Sequence, residues 1–168
     1  LGRLVGSEMC IRDRFKIILF ISGGLLPVLG ISLLPSMVYA YVNEGKDYAN
    51  SLLFLLLSSL LISYLIRKYI SPSRQLNTIQ GFGSVGLSWI LLSLFGTLPY
   101  IFSDINLSYI DILFETISGL TTTGSSIITN VESVDKSLLI WRSTTQWLGG
   151  MGVIVLTITV LPLISDTP

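Results

Sequence analysis

Four stretches of this chain run apolar for about the twenty residues that a helix needs to cross a hydrocarbon core. Each is set off from the next by a cluster of polar or charged positions. The first covers 17–42 without a charge and holds Gly23, Gly24, Pro27, Gly30 and Pro35. A kink or break is therefore predicted near its middle. The second covers 48–66 and is rich in Leu and Ser; the third covers 80–102 and opens on Gly81-Phe82-Gly83; the fourth covers 138–164. Between the last two lies 103–136, where Ser108 and Asp111 have the spacing of a capping pair at a helix start. This predicts a helix over 109–120, ~18 Å long at the usual rise and about half of a ~30 Å core. Such a helix dips into a membrane without crossing it, and 121–126 must return as extended chain. Non-helical backbone at that depth is tolerated only where protein or a water-filled cavity surrounds it.

The pattern predicts an all-α polytopic membrane protein. Residues 15–74 form an N-terminal pair of transmembrane helices. Residues 75–168 form one repeat of membrane helix (80–102), short helix (109–120), strand (121–126) and membrane helix (138–164). Composition agrees: 51% of residues are hydrophobic and 12% charged, with a mean hydropathy of +0.75, against roughly 25% charged residues in a soluble domain. A formal net charge of zero gives no global field for nucleic acid. Histidine is absent and Cys10 is the single cysteine. A disulfide or cysteine metal site within one chain is excluded, and the commonest general base is missing. No Ser/His, paired-Asp or metal constellation falls at useful spacing, so neither an enzyme nor a cofactor is expected.

Lys and Arg in the loops predict orientation. Arg12, Arg14 and Lys16 precede the first span, Lys46 alone follows it, and Arg67, Lys68 and Arg74 follow the second. The N-terminus, 67–79 and the chain end are expected inside, with 43–47 and 103–136 outside. Residues 1–14 begin with Leu1 and include Ser7-Glu8-Met9-Cys10-Ile11-Arg12-Asp13-Arg14, a string that resembles translated sequencing-adapter read-through. They are expected to be such an artefact in preference to a genuine cytoplasmic leader, and to lie outside the fold. The chain stops just after a span, at Ser165-Asp166-Thr167-Pro168, and is expected to belong to a longer protein.

Candidate chemistry lies in the run Phe114-Glu115-Thr116-Ile117-Ser118-Gly119-Leu120-Thr121-Thr122-Thr123-Gly124-Ser125-Ser126. A Thr-Thr-Gly run at the end of a short helix in so apolar a chain points to an ion selectivity filter. There, backbone carbonyls replace the water of a cation, and Gly supplies the necessary φ freedom. The same run reads equally as an external Thr/Ser/Gly loop without ligands until its surroundings are added. The C-terminal end of the short helix carries roughly half a negative charge and would favour a cation in a central cavity.

The run from Phe114 to Gly124, followed by Trp141-Arg142-Ser143 and by Gln146-Trp147-Leu148-Gly149-Gly150-Met151-Gly152, resembles the first pore repeat of Trk/Ktr-type potassium-uptake membrane subunits. The two preceding spans resemble the extra N-terminal helix pair of the Trk branch. The likeness covers about 15–165. It implies a potassium-channel-like pore in which four such repeats of one polypeptide surround one pathway; this chain holds one repeat and supplies one of four filter strands. It also implies a homodimer, a cytoplasmic nucleotide-binding regulatory ring, and transport of K⁺ across the bacterial inner membrane, as a channel or as a symporter.

Aligned with the Thr-Val-Gly-Tyr-Gly run of potassium channels, Thr122, Thr123, Gly124 and Ser125 take the first four positions. Their carbonyls are the expected K⁺ ligands, with the Thr122 hydroxyl as a further ligand at the inner end. Glu115 and Arg142 are expected to pair behind the filter, although Arg142 reaching the outer headgroups fits as well. Gln146 is expected to hydrogen-bond the strand. Gly149, Gly150 and Gly152 serve either close packing or gating. Trp89, Trp141 and Trp147 are expected to pack or sit at the interface. Asp104 and Asp111 are expected as solvated acids near the outer mouth. Two other functions stay open: a non-transporting membrane assembly or anchor protein, and a homotetrameric single-repeat cation channel.

Overall fold

The computed structural model describes residues 2–70, 78–103 and 105–165. Arg74 and Asp104, invoked above for orientation and for the outer mouth, lie outside them. The described residues are helical apart from short connections: α1 (Gly2–Ile31), α2 (Leu34–Asn43), α3 (Lys46–Tyr69), α4 (Thr78–Gly96), α5 (Leu98–Ile101), α6 (Tyr109–Leu120) and α7 (Lys136–Ser165). Among them, Ile18–Asn43 and Lys46–Tyr69 are long and apolar enough to cross a membrane, and Val85–Ile101 is a shorter apolar stretch. The backbone of 2–14 is helical and continuous with the rest of α1.

Proline decides where the first span breaks. Pro27 sits inside α1, while Pro35 occupies the first turn of α2, where a missing N–H costs nothing. The interruption therefore falls at Ser32 and Leu33, later than the middle of the span. Leu33 N there donates to Gly30 O in a tightened turn at 3.1 Å. Inside α1, Pro27 has no N–H for the Gly23 carbonyl one turn earlier. Ser63 Oγ of α3 donates to that carbonyl instead, at 2.6 Å. The third span breaks in the same manner. Pro99 follows Gly96 and Thr97, and α4 gives way to α5. The Gly96 carbonyl is left outside the helical ladder and accepts from Trp141 Nε1 at 3.1 Å.

Helices α1 and α3 pack against each other, α1 also against α4, and α2 against both α3 and α7. Leu29, Leu33, Leu52, Leu55 and Tyr100 form the buried centre with the fully buried Trp141. Many buried polar residues are Ser or Thr that bond carbonyls of their own helix, as Ser59, Thr97, Thr116 and Thr145 do. They satisfy themselves while letting helices approach closely. Ser22 Oγ also meets Ser88 Oγ across the α1–α4 contact at 3.0 Å.

The helix pair is tied to the start of α7 by polar contacts. Glu44, just past α2, accepts from Ser137 N at 3.0 Å and from Ser137 Oγ. Ser36 Oγ donates to the Ser137 carbonyl. A carboxylate on the first N–H groups of a helix satisfies donors that have no intrahelical partner and complements the dipole.

Ser63→Ala strands the Gly23 carbonyl in a buried contact. It should destabilise the solubilised protein by about 1–3 kcal/mol, read as a lowered midpoint of thermal aggregation, whereas Ser51→Ala on the exposed side of α3 should leave that midpoint unchanged.

Candidate functional site

Helix α6 begins with a complete capping box. Ser108 Oγ accepts from Asp111 N, and the Asp111 carboxylate accepts from Ser108 N. Asp111 is thus engaged in capping rather than standing as a free acid. The helix ends after three turns in a Schellman arrangement. Thr122 N donates to Gly119 O and Thr123 N to Ser118 O, each at 3.0 Å. That motif needs a left-handed residue just past the helix end, usually Gly; here it is Thr122, at φ 58°. A non-glycine residue in that region costs on the order of 1–2 kcal/mol and persists only where its neighbours hold it. Gly124 follows at φ 76°, with Thr123 between them outside the positive-φ region.

Most of the helix-end carbonyls are therefore occupied. Ile117 O accepts from Thr121 N, and Ser118 O accepts from both Thr123 N and Gly124 N. Leu120 O faces Gly149 on α7: a Cβ added there would fall on the Leu120 backbone, 2.7 Å from its carbonyl carbon and 3.0 Å from its Cα. Gly149 is thus the contact that seats the end of α6 on α7. Gly150 is looser: a methyl group there would stand 3.6 Å from its nearest neighbour, Thr122 Cγ2. Gly152 faces Trp89 rather than the strand.

Glu115 is fully buried and joins three segments. Its Oε1 accepts from Ser126 Oγ at 2.7 Å, from Ile127 N at 2.5 Å and from Ile128 N at 3.4 Å. Its Oε2 accepts from Arg142 Nε at 2.9 Å, which is the expected ion pair. Arg142 Nη2 also lies 3.5 Å from the Gly124 carbonyl. The Ser126 and Ile127 donors and the Arg142 guanidinium offset the cost of burying this carboxylate.

The expected residues are brought together in unequal ways. Residues 121–127, the expected strand, are an exposed turn and irregular return segment along α6. The Thr122 and Thr123 carbonyls receive no protein donor among the described residues, whereas the Ser125 carbonyl accepts from Ser118 Oγ at 2.7 Å. The Gln146 amide lies beside Gly124, 3.6 Å from where its Cβ would stand, without a hydrogen bond to the strand. Trp141 is buried and bonded to Gly96, while Trp147 is 63% exposed. Sequence reasoning missed Ser118, Ser126 and Glu44 as partners. A hydroxyl one turn before the end of a short helix, followed by a chain reversal, is the signal that marks Ser118. Ser126 and Glu44 act through contacts that only tertiary folding creates.

The chain is similar to known proteins along most of its length. A family model described as the cation transport protein TrkH matches residues 50–167. The Trk system potassium uptake protein TrkG of Escherichia coli is 36% identical over 159 residues, covering 91% of this chain and 32% of that protein. An uncharacterised cation transporter of Methanocaldococcus jannaschii is 36% identical over 148 residues, covering 86% of this chain and 30% of that protein. The crystal structure of the potassium transporter TrkH from Vibrio parahaemolyticus superposes with a TM-score of 0.77 at 31% identity, over 88% of this chain and 32% of that one. The chain spans less than a third of the length of these relatives.

Gly149→Ala should displace α6 from α7 and cost on the order of 1–3 kcal/mol, whereas Gly150→Ala should be tolerated; the yield of monodisperse protein after solubilisation separates the two. Glu115→Gln leaves Arg142 without its charge partner and should cost about 3 kcal/mol, part of which Glu115→Gln with Arg142→Gln should recover in the same assay.

Proposed function

The chain belongs to the TrkH family of cation transport proteins, and we propose that it supplies one of four filter strands in a potassium-conducting pathway. It is an all-α polytopic membrane protein of a transporter family, and the proposal concerns conduction rather than bond-making chemistry. Residues 75–168 are the first pore repeat and 15–74 the helix pair that precedes it. Thr122, Thr123, Gly124 and Ser125 line the path, with K⁺ liganded by backbone carbonyl oxygens. The other three repeats belong to the same polypeptide. The whole assembles as a homodimer with a cytoplasmic nucleotide-binding ring, in an inner membrane with its N-terminus inside.

The observation that carries this reading is the strand itself. In ordinary extended chain successive carbonyls alternate sides. The φ of Thr122 and Gly124 is positive and that of Thr123 is not. Such alternation lets neighbouring carbonyls turn toward one side, which a cation ligand set requires. The Thr122 and Thr123 oxygens are also free of protein donors among the described residues, and the strand is exposed away from α6. Glu115 holds the outer part of the strand from behind through Ser126 and Ile127, and Arg142 links it to α7. The restraint is stiff, which ion discrimination by ligand number and field strength needs.

The charge-swap test that the ion pair invites is not informative. An arginine at 115 would face the Ser126 and Ile127 donors, so the exchange should fail even though the pair is real. The decisive variant is Gly124→Asp. A side chain at φ 76° strains the backbone and puts a carboxylate beside the ion path. In the full-length polypeptide, expressed in cells without other potassium uptake, it should lower K⁺ uptake by roughly a hundredfold (about the penalty of one or two misplaced ligands). Uptake unchanged at equal membrane abundance would leave the anchor-protein reading in its place.

A further inference from the structure

Ser118 of α6 bonds three successive residues of the strand. It is 4% exposed. Its carbonyl accepts from Thr123 N at 3.0 Å and from Gly124 N at 3.4 Å. Both bonds are backbone contacts that any side chain at 118 would keep. Its hydroxyl donates to the Ser125 carbonyl at 2.7 Å, and this bond depends on the side chain alone. It draws the outermost of the four expected ligand oxygens toward α6. The inner oxygens differ: those of Thr122 and Thr123 have no protein donor among the described residues, and that of Gly124 has only the 3.5 Å contact with Arg142 Nη2.

We propose that Ser118 is a specificity-determining positioning residue, whose hydroxyl withdraws the Ser125 carbonyl from the ion path and limits this strand's ligands to the Thr122, Thr123 and Gly124 oxygens. The proposal rests on the filter reading above. A cation at the outer end then meets one carbonyl fewer from this strand and keeps more of its water until it moves inward. Because the Ser118 backbone bonds stay in place, loss of the hydroxyl alters the outer level without releasing the inner strand. Its effect belongs to ion capture and preference, not to the presence of a pathway.

The test measures initial uptake of K⁺ and Rb⁺ in cells without other potassium uptake, each expressing the full-length polypeptide as wild type, Ser118→Ala, Ser118→Thr or Gly124→Asp. Ser118→Ala should change the KM for K⁺ by about threefold to tenfold, the equivalent of one hydrogen bond, and shift the Rb⁺ to K⁺ ratio in the same cells. The maximal rate per transporter should stay within about twofold, below the range that one lost hydrogen bond is worth. Ser118→Thr keeps the hydroxyl and should return KM and ratio to wild-type values. A purely structural role would lower maximal rate and abundance together and leave KM and ratio alone. Wild-type KM and ratio in Ser118→Ala, while Gly124→Asp lowers uptake as expected, overturn the role of Ser118 and spare the filter. Intact uptake in Gly124→Asp overturns both. If Ser118→Ala does not reach the membrane, Ser118→Cys, similar in size and a weaker donor, is read in its place, and wild-type values there overturn the proposal.

Discussion

A carboxylate without access to water must find its partners inside the protein, and Glu115 finds them on three segments at once. It sits on α6, receives Ser126, Ile127 and Ile128 from the returning strand, and receives Arg142 from α7. A buried ion pair is weak evidence for stability, because desolvation offsets most of the attraction. Its use here is geometric. Among the described residues the strand has no ladder partner, so the N–H groups of Ile127 and Ile128 need an acceptor fixed in the fold, and the carboxylate provides one. Removing the charge would release the strand and leave the guanidinium unpaired together.

The inner half of the strand depends on the way α6 ends. The Schellman arrangement places Thr122 in a left-handed conformation and turns the chain back along the helix. Gly149 lets the Leu120 backbone rest directly on α7, closer than any side chain allows. The strand is thus held by the helix cap at one end and by the carboxylate at the other, with Ser118 bonding in between. Few of these contacts are apolar, and residues 121–127 are exposed rather than part of the core.

The N-terminal helices contribute support of another kind. Proline and the Gly96–Thr97 break free carbonyls in two apolar helices, and each carbonyl is taken by a side chain from a different helix: Ser63 for Gly23 and Trp141 for Gly96. A helix defect thereby becomes an interhelical bond. Glu44 and Ser36 bond Ser137 at the first turn of α7, so the helix pair fixes the start of the helix that carries Arg142.

The sequence alone determined the helical class, the short helix that cannot cross a bilayer, and the Ser108–Asp111 cap, because hydropathy and capping are local properties read from neighbours a few residues apart. It also indicated Glu115 and Arg142 as a pair, since two opposite charges in apolar surroundings have few alternatives. It did not show that the first break falls at Ser32 and Leu33 and not at Pro27, because a proline inside a helix is tolerated only if another helix supplies a donor. Nor did it show that Thr122 takes the cap position usually given to glycine, that Gln146 stands beside the strand without bonding it, or that Ser118 engages the Ser125 carbonyl. Those outcomes depend on which groups meet across helices, and only the tertiary structure decided them, by bringing donors to carbonyls that lie far apart along the chain.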